Sequence, residues 1–235
     1  MKNCIYLIPC TLNGNLNTDA ISPEIIQSAM QCHAFITENI RSTRRYLRKI
    51  AYQRNFDEVS FFEFQKDFEQ YQALKSFIQN NIKHTPIGIL SESGCPGIAD
   101  PGAIAVAAAH QLEIEVKPLS GPSSIILTLM ASGFNGQSFA FNGYLPIDKA
   151  QRAKKIQQLE YLIYKQNQTQ IFIETPYRNN QLLQHLTEVC KSETKLCIAS
   201  QLGFPEQSIA VKSITEWKRS LPDLHKKMTV FAIYK

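Results

Sequence analysis

Gly88-Ile89-Leu90-Ser91-Glu92-Ser93-Gly94-Cys95-Pro96-Gly97-Ile98-Ala99-Asp100-Pro101-Gly102 is the stretch whose reading decides the fold. Its first residues continue a short apolar run, broken only by Gly88, that reads as the end of a buried strand. Three glycines, two prolines and two carboxylates follow within a dozen residues, and then a helix-favouring run at 103–110. Strand, Gly/Pro-rich loop and helix in that order are the usual ligand-holding unit of an α/β protein. Strand ends feed their loops into one crevice, and glycines let the backbone approach a ligand closely. The prolines remove donors and stiffen the loop. Connections of this kind are normally short, so a plain rigid connector is the less favoured reading of so long a loop. It has neither the Gly-x-x-x-x-Gly-Lys-Ser/Thr nor the Gly-x-Gly-x-x-Gly spacing of a phosphate loop. With Glu92 and Asp100 and no lysine, it suits a ligand with hydroxyls and an amine or positive centre.

Outward from this loop the chain alternates. Residues 4–8 read as a central apolar strand, and 9–16 as a loop with a turn at Asn13-Gly14. Ser22 and Pro23 open a helix as N-cap and first helical residue. Strands are expected at 34–37, 60–64, 86–90 and 114–117, with helices at 42–50, 65–80 and 103–110. Such alternation predicts a parallel sheet covered on both faces. Pro118-Leu119-Ser120-Gly121-Pro122-Ser123-Ser124 breaks the rhythm ahead of an apolar helix at 125–131. It reads as a domain boundary, giving an N-terminal α/β domain at 1–117 and a C-terminal one at 118–235. Amides near that helix start suit an anion; an ordinary turn capped by Ser123 or Ser124 is the plainer reading. Beyond it, strands at 138–142, 169–173, 195–200, 207–211 and 229–234 come closer together, with helices at 149–164, 180–190 and 215–219. The shorter gaps predict a mixed sheet.

At 235 residues and 44% apolar content the chain can bury a substantial core, and its +5 net charge permits an anionic partner without requiring one. The apolar run at the start is too short for a signal peptide, and no stretch approaches a membrane span. The six cysteines form no Cys-x-x-Cys pair, and the five histidines have no metal-ligand spacing, so no metal is expected. Free thiols in apolar contexts point to a reducing cytoplasm. Cys95 lies in the loop with nothing nearby to lower its pKa, so it reads as packed rather than reactive. The absence of Gly-x-Ser-x-Gly argues against a serine hydrolase.

Charged residues recur just past strand ends: Glu38 and Arg41, Glu92, Asp100, and Glu174 with Arg178. Glu38 and Glu174 are candidate bases; Arg41, Arg44, Arg45, Arg152 and Arg178 are candidate anion clamps. Any one of them alone reads as a solvated loop charge; convergence on one sheet edge is what favours function. Arg41-Ser42-Thr43-Arg44-Arg45-Tyr46-Leu47-Arg48-Lys49 is the densest basic run, with a second at 149–155. Such runs engage RNA phosphates, or else form solvated helix faces.

Taken together, the stretch from Leu90 to Gly102 resembles the S-adenosylmethionine loop of the tetrapyrrole methylase superfamily. It is most similar to the branch that methylates a ribose 2′-hydroxyl of small-subunit ribosomal RNA, whose loop reads Ser-Asp-Ala-Gly-Thr-Pro-Gly-Ile-Ser-Asp-Pro-Gly. The likeness extends to Leu7-Ile8-Pro9, Gly14-Asn15-Leu16, Glu38 with Arg41, Thr43 and Arg44, Gly121-Pro122-Ser123-Ser124, Phe141 with Gly143-Tyr144-Leu145-Pro146, Arg152, and Glu174-Thr175-Pro176-Tyr177-Arg178. The resemblance implies two α/β domains with the cofactor in the cleft between them, usually as a homodimer. It implies that Ser91, Glu92, Ser93, Gly94, Pro96, Gly97, Asp100 and Pro101 hold S-adenosylmethionine with Gly121, Pro122, Ser123 and Ser124. Pro9, Tyr144 and Ile173 would complete that pocket, and Glu38, Arg41, Glu174 and Arg178 would serve the reaction.

The chain departs from the branch in four places. Its first loop is one residue longer and lacks a second proline. Glu-Asp-Thr-Arg becomes Glu38-Asn39-Ile40-Arg41, and Glu-Ser-Pro-His-Arg becomes Glu174-Thr175-Pro176-Tyr177-Arg178. Arg-Glu-Leu-Thr-Lys becomes Ser200-Gln201-Leu202-Gly203-Phe204. The cofactor side is kept and the acceptor side altered. The expected activity is methyl transfer from S-adenosylmethionine to RNA of the small ribosomal subunit. Two other readings stand beside it: methylation of a small anionic or tetrapyrrole-like acceptor, and a non-catalytic cofactor- or RNA-binding module.

Overall fold

The structure, a computed structural model, describes residues 3–14, 21–64 and 70–235. Asn15 and Leu16 of the first loop and the start of the helix expected at 65–80 lie outside the described residues. The chain divides into two compact units, Met1–Ser123 and Ser124–Lys235.

The first unit runs β1 (Ile5–Ile8), α1 (Pro23–Gln31), β2 (Ala34–Thr37), α2 (Ile40–Lys49), β3 (Ser60–Glu63), α3 (Tyr71–Asn81), β4 (Ile87–Leu90), α4 (Gly102–Gln111) and β5 (Val116–Pro118). Its sheet has the order β3-β2-β4-β1-β5, with every pairing parallel. Both faces of the central strands are covered, which is why β2 and β4 are apolar and buried almost without a break. On one face Ile8, Phe35 and Leu90 pack against Ile25 and Ala29 of α1 and Leu47 of α2. On the other, Ile5, Ile36, Ile87 and Ile89 pack against Leu74 and Ile78 of α3 and Ala105, Ala108 and Ala109 of α4.

Parallel pairing puts the carboxyl ends of all five strands on one edge. Because β1 lies between β4 and β5, the loops leaving these three strands are neighbours.

Local chemistry sets the helix starts. Ser22 accepts from the amide of Ile25 to cap α1. Asn39 accepts from Ser42 at 3.0 Å, so α2 begins at Ile40, two residues before the expected start. The strand expected at 114–117 is displaced to Val116–Pro118. Glu113, at φ +54°, closes the end of α4 and lets the Ile114 amide donate back to Ala109. That is the six-to-one hydrogen bond of a helix stop built without glycine.

The second unit runs α5 (Ser124–Ser132), β6 (Phe139–Tyr144), α6 (Lys149–Gln166), β7 (Thr169–Ile173), α7 (Asn179–Val189), β8 (Lys195–Ser200), β9 (Ser208–Ser213), α8 (Ile214–Arg219) and β10 (Thr229–Tyr234). Its sheet, β6-β7-β10-β8-β9, is mixed: β6 and β7 are parallel and the other pairs antiparallel. Phe172, Leu196, Ile198, Phe231 and Ile233 face α6, α7 and α8, while Ile171, Cys197, Val230 and Ala232 face Ile125 and Leu129 of α5. The two units meet later in the sequence than Pro118. β5 still pairs with β1, and Leu119 still donates to Leu7, so the Gly-Pro-Ser turn stays with the first unit.

Gly88 sits in β4 where a Cβ would lie 2.6 Å from the Phe35 ring and 2.8 Å from Ile8 Cδ1. Gly88→Ala is expected to cost about 1–3 kcal/mol by overpacking, read as a lower urea midpoint at unchanged slope. A midpoint equal to the parent's would show that the central strands are packed differently.

Candidate functional site

The loops leaving β1, β4 and β5 are joined to one another. Cys10 and Gly94 exchange backbone hydrogen bonds of 2.8 and 3.1 Å, a short antiparallel bridge between the first two loops. Ser93 Oγ donates to the Leu12 carbonyl at 3.3 Å. The third loop closes over them: a Cβ on Gly121 would lie 2.1 Å from Pro9 Cβ, so only glycine fits there. The Cys95 thiol donates to the carbonyls of Gly121 and Pro122 at 3.5 and 3.4 Å. Tyr46 of α2 donates its hydroxyl to the Pro9 carbonyl at 2.9 Å, holding the first loop from below. Pro9, Ser93, Gly94, Gly121 and Pro122, widely separated in the chain, are thereby one cluster. Ser124 opens α5 in the second unit.

Within the β4 loop, Asp100 is the organiser. Its Oδ1 accepts from the amides of Gly97 at 2.9 Å and Gly102 at 2.6 Å. Gly94, Gly97 and Ala99 all take positive φ, +74°, +85° and +65°, which curls the chain around that carboxylate. Ser91 Oγ donates to the carbonyls of Ser93 and Gly94 at 3.2 and 3.4 Å, and Pro96 is buried. A Cβ on Gly102 would stand 2.7 Å from Asp100 Oδ1, so the Asp-Pro-Gly sequence follows from the geometry. Asp100 Oδ2 is buried with no partner in the described structure. The loop is a preformed shape with exposed residues at Glu92, Ser93, Ile98 and Ala99.

Glu38 stands at the end of β2 beside this loop, and its Oε1 accepts from the Glu92 amide at 3.3 Å. The Glu92 carboxylate accepts from Ser42 Oγ at 3.3 Å, and the hydroxyls of Thr37 and Thr43 are hydrogen-bonded, joining β2 to α2. Burial pushes the Glu38 carboxyl above its ordinary range. The Glu92 amide opposes that shift, and the charges of Asp100 and Glu92 add to it. Burial raises the thiol of Cys95 and pushes that of Cys10 to about 12, so both are packed groups and not nucleophiles. Arg41, the other candidate of this segment, is exposed and lines a groove along α2 with Arg44, Arg45, Arg48 and Lys49.

In the second unit, Glu174 follows β7 and Arg178 opens α7. Glu174 Oε1 accepts from Arg178 Nη2 at 2.7 Å, from its Nε at 3.1 Å and from the Thr175 amide at 2.6 Å. The Glu174 side chain is fully buried, and its Oε2 has no partner in the described structure. The carboxylate is thus fixed through one oxygen with the other unengaged. Tyr144 and Ile173 are register partners on β6 and β7, next to a bulge where Gly143 takes φ +62° and the Asn142 amide reaches Gln170 and Ile171. Tyr144 is largely exposed.

Arg152 is fully buried. It donates from Nε to His185 Nδ1 at 2.8 Å and from Nη1 to the Ile147 carbonyl, which makes it a strut between α6 and α7. The altered segment Ser200–Phe204 is a tight turn. Gln201, at φ +55°, donates its amide to Met228 and accepts the Met228 amide on Oε1, both at 2.7 Å. Sequence reasoning missed the supporting hydroxyls of Ser42 and Tyr46, which carry no motif of their own, and gave Thr43 no role beyond the resemblance. Among the described residues no cluster of histidine, cysteine or carboxylate can hold a metal, and no helix is long and apolar enough to cross a membrane.

No family model matches the chain. It is 29% identical over 212 residues to ribosomal RNA small subunit methyltransferase I of Vibrio cholerae, covering 90% of this chain and 69% of that protein. It is 28% identical over 216 residues to the protein of the same name from Buchnera aphidicola, covering 91% and 72%. Among solved structures, the fold matches uroporphyrin-III C-methyltransferase of Thermus thermophilus in complex with S-adenosylhomocysteine. The TM-score is 0.58 at 9% identity, over 99% of this chain and 98% of that one.

Two outcomes follow from the loop cluster. Asp100→Ala strands two amides and is expected to destabilise the fold by about 1–3 kcal/mol, whereas Asp100→Asn keeps an acceptor and recovers most of it; equal losses would mean that the carboxyl does not shape the loop. Glu38 has a folded pKa raised above its unfolded one, so its ionisation opposes folding at neutral pH and contributes nothing once both states are protonated. Glu38→Gln should therefore raise the melting temperature near neutrality, with the gain vanishing as pH falls through the carboxylate range. A gain that persists in acid would point to a cause other than charge.

Proposed function

We propose that this chain is a member of the tetrapyrrole methylase superfamily and transfers a methyl group from S-adenosylmethionine to RNA of the small ribosomal subunit, with a ribose 2′-hydroxyl as acceptor. The carrying observation is the preformed cluster of the loops after β1, β4 and β5, together with relatives named as small-subunit ribosomal RNA methyltransferases.

The residues present fit this cofactor. Exposed backbone at Ser93, curled by left-handed glycines, offers amides and carbonyls to an adenosine and an amino acid group. Glu38, Glu92 and Asp100 supply negative charge for a cationic ligand, and Asp100 Oδ2 is buried without a partner. Pro9, Ser91, Ser93, Gly94, Pro96, Gly97 and Pro101 would hold it with Gly121, Pro122 and Ser123; Ser124, Tyr144 and Ile173 are assigned to it by the resemblance alone. When bound, the cofactor supplies an electrophilic methyl group on a sulfonium, so the hard chemistry is its own.

The chain's own residues orient the acceptor, exclude water and take up its proton. Glu38 and Glu174 are the two carboxylates we assign to that last task. Glu38 is held above its ordinary pKa range by burial, and Glu174 is anchored through Oε1 with Oε2 unengaged. Arg178 fixes Glu174 and adds positive charge beside it for an anionic substrate, while Arg41, on the exposed face of α2, is assigned to steering that substrate. A homodimer, implied by the resemblance, and a cytoplasmic location, supported by six free thiols, belong to the same reading.

Incubation with labelled S-adenosylmethionine and small ribosomal subunits should place label in RNA. Glu38→Gln or Glu174→Gln should lower turnover by about 10²-fold or more while leaving cofactor affinity in place. Label transferred to a tetrapyrrole pool instead would overturn the RNA assignment. Cofactor binding without transfer to any acceptor would make the protein a binding module. Undiminished turnover in both variants would remove the two carboxylates from the mechanism.

A further inference from the structure

The outer face of α2 carries a charge pattern that the loop cluster does not use. Arg41, Arg44, Arg45 and Arg48 fall at positions i, i+3, i+4 and i+7, so they form one stripe along the helix, and Lys49 continues it. The opposite face is the buried one, with Thr43, Tyr46 and Leu47. The stripe lines an open groove of about 670 Å³ together with Asn39, Ile40 and Glu63. Glu63 is the one carboxylate lining it, and Glu63 Oε1 is occupied by the Ile40 amide at 2.8 Å. Among the described residues, none of the four arginines has an ion pair. Like charges in this arrangement repel along a helix, so the pattern has a stability cost, and among the described residues no carboxylate forms an ion pair with it.

The cations are nonetheless ordered. The Arg44 guanidinium lies over the rings of Phe61 and Phe56, 5.1 and 5.5 Å from their centroids, and Arg48 lies 5.4 Å from the Phe56 centroid. Phe56 stacks in turn on Tyr52 at 6.0 Å. Arg44 Nε is buried with no acceptor in the described structure. Lys49 is held by the Gly14 carbonyl at 2.5 Å. Aromatic backing pre-pays the side-chain ordering that phosphate binding otherwise costs, and an arginine fork matches a phosphate's oxygens.

We propose that this groove is a docking surface for the sugar–phosphate backbone of single-stranded RNA, read without base specificity. The proposal rests on the RNA reading above and deepens it: the arginine stripe binds the substrate outside the reacting centre. RNA is favoured over an acidic peptide for two reasons. A backbone presents repeated anions to a repeated row of cations, and the chain's relatives are named as ribosomal RNA methyltransferases, which makes RNA the polyanion this reading calls for.

The test is fluorescence anisotropy with a labelled single-stranded RNA of mixed sequence, titrated over a salt series. Arg45→Gln/Arg48→Gln, both exposed in the free protein, should weaken binding at low salt. The log–log salt slope should become shallower by about 1.4, at about 0.7 per lost phosphate contact. Arg45→Lys/Arg48→Lys should restore most of the slope. Lys154→Gln/Lys155→Gln removes the same charge from α6 and should change the slope much less. Equal losses from the two glutamine pairs would reduce the effect to net charge and overturn the proposal. So would poly-glutamate binding as tightly as RNA and with the same dependence on Arg45 and Arg48. Cofactor titration of each variant separates the two readings. Slope loss without methyl transfer to any RNA leaves the groove standing and sinks the function. Methyl transfer to ribosomal subunits with unchanged binding and turnover in the glutamine pair does the reverse.

Discussion

The approach of Gly121 to Pro9 is the contact on which the rest of the first unit's edge depends. With no side chain on Gly121, the loop after β5 comes down onto the proline ring that ends β1. That closeness puts the Gly121 and Pro122 carbonyls within reach of Cys95, and Gly94 opposite Cys10. A single methyl at position 121 would overlap Pro9 at 2.1 Å and separate the three loops. The constraint is steric before it is chemical. Parallel pairing supplies neighbouring loops, and a missing Cβ lets them touch.

What the touching loops gain is stiffness without a large core of their own. Positive φ at Gly94, Gly97 and Ala99 curls the β4 loop, and a buried carboxylate ties two of its amides. Each tie satisfies backbone that has left the sheet. The loop is therefore shaped before any ligand arrives, and binding need not include the entropy of ordering it. The same economy explains why Asp100, easily taken for a ligand contact, is committed to the loop itself through Oδ1, with Oδ2 buried beside it.

Much of this was legible. Apolar runs gave the strands because β2, β4 and β7 are buried on both faces, where side-chain type and position coincide. Gly97, Asp100, Pro101 and Gly121 were legible as a shaped loop because their conformational demands are residue-specific. The start of β5 was not: α4 closes through Glu113, which takes φ +54° without being glycine, so the strand was expected two residues early. The loss of a carboxylate at Asn39 read as an altered site, whereas its side chain caps α2. Gln201, in place of an arginine-bearing segment, is likewise spent on backbone. Substitutions toward amides are ambiguous in sequence because an amide serves a turn as readily as a ligand.

The helix α2 joins these observations. Its buried side holds the loops: Tyr46 the carbonyl of Pro9, Thr43 the end of β2, and Ser42 the carboxylate of Glu92. Its outer side carries the arginines, ordered on Phe56 and Phe61. An amphipathic helix normally trades an apolar face against a solvated one; here both faces carry polar groups with definite partners or definite vacancies. One helix thus serves both the loop cluster, on its inner face, and the arginine stripe, on its outer one.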